Sequence, residues 1–444
     1  MPLAINTDRL LRELHHLARI TDCPPTTDKS LPEPTQAVTR IVFTPRDLEA
    51  RAWLKSIAEA AGFSVRTDAV GNTFFCWAGS HPELGVVGTG SHTDAIPHAG
   101  MYDGTVGVLG GLEAMRSLKE SGFQPRRSIE TLMFTSEEPT RFGIGCIGSR
   151  LLGGVISPIT ADQLPDRLPE TDPDAPAGLT LAQVRTQAGF TGSLSEVKLA
   201  PDYYHAWVEL HIEQGPLLER EGIQLGIVTN IAAPASYRYT IEGFGGHAGA
   251  LLMPDRRDAL CGAAELILSI EKFTLEANAR SGGVDSVATV GMVAVHPGAV
   301  NSVPSRVLIT LDIRDTDVAR RDHTMSQLHA RIQEIETKRR LRITEETVNA
   351  DIPAVSSAHI VSTLEDICRA ENITYKNQEK ISYKKLVSRA YHDSNFMARI
   401  APIAMLFIPC RNGVSHRPDE YATPEAIALG TQVLATALAR LSSE

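Results

Sequence analysis

Leu10, Leu11, Leu14, Leu17 and Ile20 recur at helical spacing behind Asn6, Thr7 and Asp8, which predicts a capped amphipathic helix near the start of the chain. Residues 21–44 are rich in Pro, Thr and Asp and read as a long loop, followed by a helix over 45–61 and strands near 63–66 and 72–77. Four further stretches, 84–87, 129–135, 204–210 and 403–408, are short apolar runs without alternation, the pattern of strands buried on both faces. Each gives way abruptly to polar residues that can ligate or titrate: Ser91, His92, Thr93 and Asp94 after the first, Ser136, Glu137 and Glu138 after the second, His211 to Gln214 after the third, and a segment ending in His416 after the fourth. The carboxyl ends of parallel strands are where sites assemble in open α/β sheets, so this recurrence is hard to obtain by chance.

Between the third and fourth runs the pattern changes. Strands are predicted at 237–242, 286–295, 306–314 and 341–348, with helices at 254–272 and 317–338. That order is β-α-β-β-α-β, the ferredoxin-like arrangement. The chain therefore reads as α/β: a mixed, mostly parallel sheet with flanking helices, formed by residues 1–230 and 350–444, carrying an inserted ferredoxin-like domain at 231–349. The closing segment supplies a helix at 357–371, a loop at 388–394 and a last helix at 424–441.

Composition narrows the function classes. A length of 444 residues suits two domains, and 43% hydrophobic with 22% charged is globular. The net charge of −10 argues against nucleic acid, and an anionic substrate would need locally placed cations. The longest apolar run, 400–409, falls well short of the roughly 20 residues that span a bilayer. Residues 1–10 lack the basic start and apolar stretch of a signal peptide, which sets the expectation of a cytoplasmic protein. The six cysteines show no CxxC spacing and read as buried thiols.

The candidate chemistry lies at the strand ends. Asp94 stands two residues after His92, close enough for its carboxylate to bond that imidazole and set its tautomer. Asp103 opens a helical stretch over 104–115 and is either an ordinary N-cap or a metal carboxylate. Glu137 and Glu138 are either an exposed acidic turn or a pair whose side chains leave in different directions, one to a metal and one to act as a base. His247 sits among glycines, in a loop that can approach a ligand or in a flexible hairpin. Asn301 and Arg314 suit a substrate carboxylate, or equally a turn cap and a surface ion pair. The glycines of 85–90 do not have dinucleotide spacing, and those of 104–111 lack the Gly-Lys-Ser/Thr of a phosphate loop, so the latter are read as permitting close helix packing.

Taken together, Ser91-His92-Thr93-Asp94, Tyr102-Asp103-Gly104, Glu137-Glu138-Pro139-Thr140-Arg141-Phe142, His211-Ile212-Glu213-Gln214, Gly246-His247-Ala248-Gly249, Asn301-Ser302-Val303-Pro304 and Val414-Ser415-His416 resemble the M20 metallohydrolase family. They look most like its amidase branch, which acts on N-carbamoyl-L-amino acids, allantoate and ureidoglycolate. Within the branch, Ile231 to Ser236, Ser388-Arg389-Ala390-Tyr391-His392-Asp393-Ser394 and Met405 to Cys410 are most similar to the ureidoglycolate-hydrolysing members. The resemblance implies two divalent metal ions, manganese ahead of zinc, held by His92, Glu138, His211 and His416 with Asp103 bridging. It implies Glu137 as general acid/base on the attacking water, Asp94 behind His92, and His247 stabilising charge on the carbonyl oxygen. Gln214, Asn301, Arg314, Tyr391 and His392 would hold a small anionic ureido substrate. A homodimer formed through the inserted domain would carry His247 into the neighbouring subunit's site. The implied reaction is hydrolysis of (S)-ureidoglycolate to glyoxylate with release of ammonia in purine breakdown. The alternatives are hydrolysis of allantoate or N-carbamoyl-L-amino acids, or an inactive ligand-binding relative. No nucleic acid and no membrane enter this expectation.

Overall fold

The computed structural model describes residues 4–24, 29–32, 35–168, 176–283, 285–370 and 380–444. Positions 25–28 and 33–34 of the expected loop, and position 371 of the expected 357–371 helix, lie outside the described residues. In chain order the principal elements begin with α1 (Thr7–Arg19), α2 (Pro45–Ala60), β1 (Ser64–Thr67), β2 (Thr73–Trp77), β3 (Val86–His92), α3 (Thr105–Glu120), β4 (Ile129–Phe134), β5 (Tyr204–Ile212) and β6 (Leu225–Ile231). They continue with β7 (Ala233–Glu242), α4 (Ala259–Ser281), β8 (Val287–His296), β9 (Arg306–Asp315), α5 (Val318–Arg339), β10 (Arg342–Ala350), α6 (Ala358–Arg369), β11 (Ile403–Ile408) and α7 (Pro424–Ser443). Two compact units result: one comprises Met1–Thr229, Val355–Leu386 and His392–Glu444, the other Asn230–Ala354 with Val387–Tyr391.

In the first unit, the Asn6 side chain caps α1 by accepting the Arg9 N–H at 3.0 Å, and Leu10, Leu14 and Leu17 turn inward as their spacing requires. Among the described residues the sheet has nine strands, ordered Ala354–Val355, β6, β11, β5, β3, β4, β2 and β1, with Tyr383–Ser388 beside β6. The expectation of a mostly parallel sheet holds at its centre, where β11, β5, β3 and β4 are parallel. The flanks differ, because β6, β2 and β1 are antiparallel to their neighbours. The parallel strands carry the continuous apolar runs, and every residue of β4 and β11 is buried. Their four carboxyl ends therefore share one edge of the sheet.

Helix α3 lies against that sheet closely. A Cβ at Gly107 would come within 2.6 Å of both the Leu210 carbonyl oxygen and the Ser91 Cβ, so only glycine permits the approach. Val106, Leu109 and Met115 of α3 join Val208, Leu210, Val433 and Leu434 in one core. No helix among the described residues is long and apolar enough to cross a membrane.

In the second unit the sheet order is β8-β9-β7-β10, all antiparallel. Along β9, Val307, Ile309, Leu311 and Ile313 are buried and the residues between them are not, the alternation of a sheet covered on one face. That face packs with Leu266 and Ile270 of α4 and with Leu328, Ile332 and Ile335 of α5. Helix α4 starts later than the pattern suggested. Met253–Asp255 forms a separate turn, and the Asp258 side chain supplies the cap by accepting the N–H groups of Leu260 and Cys261.

Candidate metal centre

His92 is the last residue of β3, and its Nδ1 lies 2.9 Å from the backbone carbonyl of Asp94. A carbonyl can only accept, so Nδ1 carries a proton and Nε2 is the nitrogen turned toward Asp103, the one available to a metal. This corrects the expected role of the Asp94 side chain. Its Oδ1 stands 3.8 Å from the ring, and the carboxylate instead accepts the N–H groups of Glu137 at 3.4 Å and Glu138 at 3.0 Å. The turn after β3 brings the carbonyl to the imidazole and turns the carboxylate toward the end of β4. The peptide between His92 and Asp94 is held by Arg40, a fully buried guanidinium that donates to the carbonyls of Thr93 at 2.7 Å, Leu17 at 2.9 Å and Ile20 at 2.8 Å. Burial pushes Arg40 down to about 10, which still leaves it charged at neutral pH.

Asp103 does not cap α3. The N-cap is Gly104, at φ 68°, and it makes no side-chain cap bond. The Asp103 carboxylate is spent on imidazoles. Its Oδ1 lies 3.1 Å from Nε2 of His211 and 3.6 Å from Nε2 of His92, and its Oδ2 lies 3.2 Å from Nε2 of His416. Oδ2 also accepts from Gln214 Nε2 at 2.7 Å and Ser415 Oγ at 2.9 Å. Glu138 Oε1 stands 3.4 Å from the same His416 nitrogen. Two triads thus share one carboxylate: His92, Asp103 and His211, and Asp103, Glu138 and His416, each with its ligating atoms within 4.8 Å of one another. His211 repeats the arrangement of His92, with Nδ1 2.9 Å from the Ile212 carbonyl. Ser136, Gln214 and His416 adopt φ of 57°, 53° and 59°, so three of the four strand-end loops that carry the site hold a non-glycine residue in the left-handed region.

Glu137 and Glu138 leave their loop differently, as adjacent residues at a strand end should. Glu138 faces His416, while Glu137 Oε2 stands 3.7 Å from His92 Nε2. Burial pushes the Glu137 carboxyl well above its ordinary range; repulsion from Glu138, Asp393 and Asp103 adds to this, and His92 opposes it. Burial likewise raises Glu138, to about 7, with His416 opposing. The donor set fits divalent cations. Asp103, Glu138, His92 and His211 are buried, the inward-facing atoms are carboxylate oxygens and imidazole nitrogens, and the groups around them are imidazoles and further acids. His392 meets His211 edge to face, with ring centroids 4.6 Å apart.

The second unit brings His247 and Asn301 together. Gly246–His247 pairs with Ser302–Val303, and the Ala248 N–H donates to the Asn301 carbonyl at 2.9 Å. His247 Nδ1 accepts the N–H groups of Gly249 at 3.1 Å and Ala250 at 3.2 Å, which leaves Nε2–H as the donor on that ring. Arg314 is paired with Asp312 at 2.7 Å, and the Tyr391 hydroxyl donates to Asp351 at 2.7 Å.

Four residues of this neighbourhood escaped the sequence reading: Arg40, Glu209, Ser415 and Glu420. Glu420 accepts the N–H groups of Tyr102 at 2.8 Å and Asp103 at 3.0 Å, and Ser415 bridges Asp103 to Glu420. Ser415 adjoins His416 and could have been found by position. Glu209 could have been found as the one carboxylate inside its apolar run, whereas Arg40 and Glu420 carry no local signal, because their partners are remote in the chain.

The model of Peptidase family M20/M25/M40 matches residues 88–440. The ureidoglycolate hydrolase of Oryza sativa subsp. japonica is 47% identical over 99% of this chain and 86% of its own length. Among solved structures, AtUAH in complex with glyoxylate superposes with a TM-score of 0.82 at 44% identity, covering 100% of this chain and 99% of that one. AtUAH in complex with (S)-hydroxyglycine matches with the same TM-score and coverage at 43% identity.

Proposed function

Since the chain belongs to peptidase family M20/M25/M40, we propose that it is a metal-dependent hydrolase of C–N bonds other than peptide bonds, acting on (S)-ureidoglycolate to give glyoxylate and ammonia. The observation that carries this reading is Asp103, one carboxylate shared by two ligand triads. His92, Asp103 and His211 would hold one divalent ion, and Asp103, Glu138 and His416 a second, manganese ahead of zinc. Such a pair supplies Lewis-acid polarisation and makes a water acidic enough to lose its proton near neutral pH.

The chain's own residues do the rest. Glu137 takes the proton of the attacking water and returns it to the departing nitrogen; its carboxylate, beside His92 Nε2, is placed for both halves of that exchange. His247 donates Nε2–H to the oxygen on which negative charge develops. Gln214 has a buried Oε1 without a hydrogen-bond partner, an acceptor suited to a ureido N–H. Asn301, Arg314, Tyr391 and His392 bind the remaining polar groups and the carboxylate. Cleavage at the ureido carbonyl yields ammonia and a carbamate, which loses carbon dioxide to leave (S)-hydroxyglycine. That aminol expels a second ammonia to give glyoxylate. The ligands of the two AtUAH complexes support this order.

We read the second unit as a ferredoxin-like insert that serves as lid and dimerisation domain, a reading supported by its β-α-β-β-α-β order. Leu268 and Leu275 on α4 and Met292 and Val293 on β8 are exposed, which supports a homodimer formed through this unit. The cysteines are all free and mostly buried, as suits a reducing compartment such as the cytoplasm. Ammonia release from (S)-ureidoglycolate, allantoate and N-carbamoyl amino acids, measured side by side on manganese-loaded protein, tests the reading. Preference for either of the latter two overturns the substrate.

A further inference from the structure

Glu209 is a carboxylate inside a strand that otherwise reads as core. It lies on β5 two residues before His211, so both side chains leave the same face, and it is 1% exposed. A buried carboxylate is tolerated only when its oxygens are satisfied. Here Oε1 accepts from Ser91 Oγ at 2.8 Å, while Oε2 accepts from Ser394 Oγ at 2.5 Å and from the Ser394 N–H at 3.3 Å. Trp207, two residues earlier on β5, donates Nε1–H to the same Ser394 oxygen at 2.9 Å. Ser91 immediately precedes His92, and Ser394 follows His392 by two residues. The ligating atoms of Glu209, His211 and His392 also lie within 4.8 Å of one another.

Both oxygens of this carboxylate therefore go to residues adjoining other parts of the centre. We propose that Glu209 is a positioning residue: through Ser91 it sets the end of β3 that carries His92, and through Ser394 it sets the segment that carries His392, both relative to His211 on its own strand. In this assignment Glu209 acts through the two serines and is given no ligand role of its own. The inference rests on reading His92 and His211 as metal ligands and His392 as a substrate contact.

The two arms make the idea separable from a general role in folding. Ser91→Ala removes only the arm to β3, Ser394→Ala only the arm to His392, and Glu209→Gln perturbs both. Cobalt(II) titration of metal-free protein, followed by absorbance, reads the first arm without any turnover, and KM for (S)-ureidoglycolate reads the second. Ser91→Ala should weaken cobalt affinity roughly 10- to 100-fold with KM unchanged, the usual effect of removing a group that orients a ligand. Ser394→Ala should raise KM by a similar factor with cobalt affinity unchanged, and Glu209→Gln should show both effects. Variants that melt at lower temperature yet keep wild-type cobalt affinity and KM would overturn the proposal, as would serine variants that shift both readouts together. If Glu209→Gln fails to fold, the serine variants alone decide. If the wild-type protein turns over no ureidoglycolate, the substrate reading fails, and cobalt affinity of Ser91→Ala still decides the role of Glu209.

Discussion

The carboxylate of Glu137 reaches within 3.7 Å of His92 Nε2, the nitrogen that faces Asp103, while its neighbour Glu138 turns to His416. Glu138 thus stands among the candidate ligands and Glu137 beside them, as the proposed proton carrier. Glu137→Gln keeps the shape and removes the proposed base. Turnover should fall by roughly 10²- to 10⁴-fold while metal content stays at the wild-type level. Steady-state kinetics with metal analysis on the same sample checks this, and near-normal turnover would remove Glu137 from the chemistry.

Gly104 lies directly under the His92 ring. An added Cβ would fall 2.5 Å from Nε2, and φ of 68° is itself unfavourable for any residue with a side chain. Gly104→Ala should therefore displace the imidazole and cost on the order of 10- to 100-fold in metal affinity. Retained metal after gel filtration and thermal melting together measure the effect. Gly122→Ala, also at positive φ but with nothing within 4 Å of the added Cβ, serves as the control that loses stability alone.

Without metal, the imidazoles of His92 and His416 are what oppose the raised carboxyls of Glu137 and Glu138. Glu138 moves from 4.5 to about 7, and Glu137 moves upward as well. A group raised in the folded state adds stability that is complete below its unfolded value and is lost as pH climbs through its folded one. The chelated protein should lose melting temperature between about pH 4.5 and about pH 7. The metal-loaded protein should not, since its ligands are held deprotonated. Paired melting scans across this range check the prediction: the gap between the two forms should widen as pH rises.

His247 offers Nε2–H and stands on the second unit with Asn301. If it acts on the neighbouring subunit's substrate, His247→Ala and Glu137→Gln chains, each inactive alone, should regain activity when mixed and allowed to exchange. One site of each mixed dimer then has both groups. An ammonia assay before and after exchange reads the result, and no recovery would assign His247 to the site of its own chain.

Much of the centre was legible because it depends on local order. A buried parallel strand writes itself as an uninterrupted apolar run, so the residues that follow β3, β4, β5 and β11 could be placed on one edge before any coordinates. What stayed hidden depends on contacts between distant segments or on small rotations. Asp94 was correctly set beside His92, but whether its carbonyl or its carboxylate meets the ring is a matter of one turn's dihedrals. Arg40 and Glu420 act on residues 53 and 317 positions away, and no periodicity reports such pairings. The start of α4 was misplaced because Pro254 imitates a helix start that Asp258 supplies.

Between β6 and β11, neighbours in the sheet, the chain makes the whole of the second unit. Ribosomal synthesis therefore delivers His92, Asp103, Glu138 and His211 long before His416, and β5 emerges with one flank still open. A nascent chain at that stage holds a complete first triad and an unfinished second one. The Asp103, Glu138 and His416 triad therefore closes only once the carboxyl-terminal strand has entered the middle of the sheet.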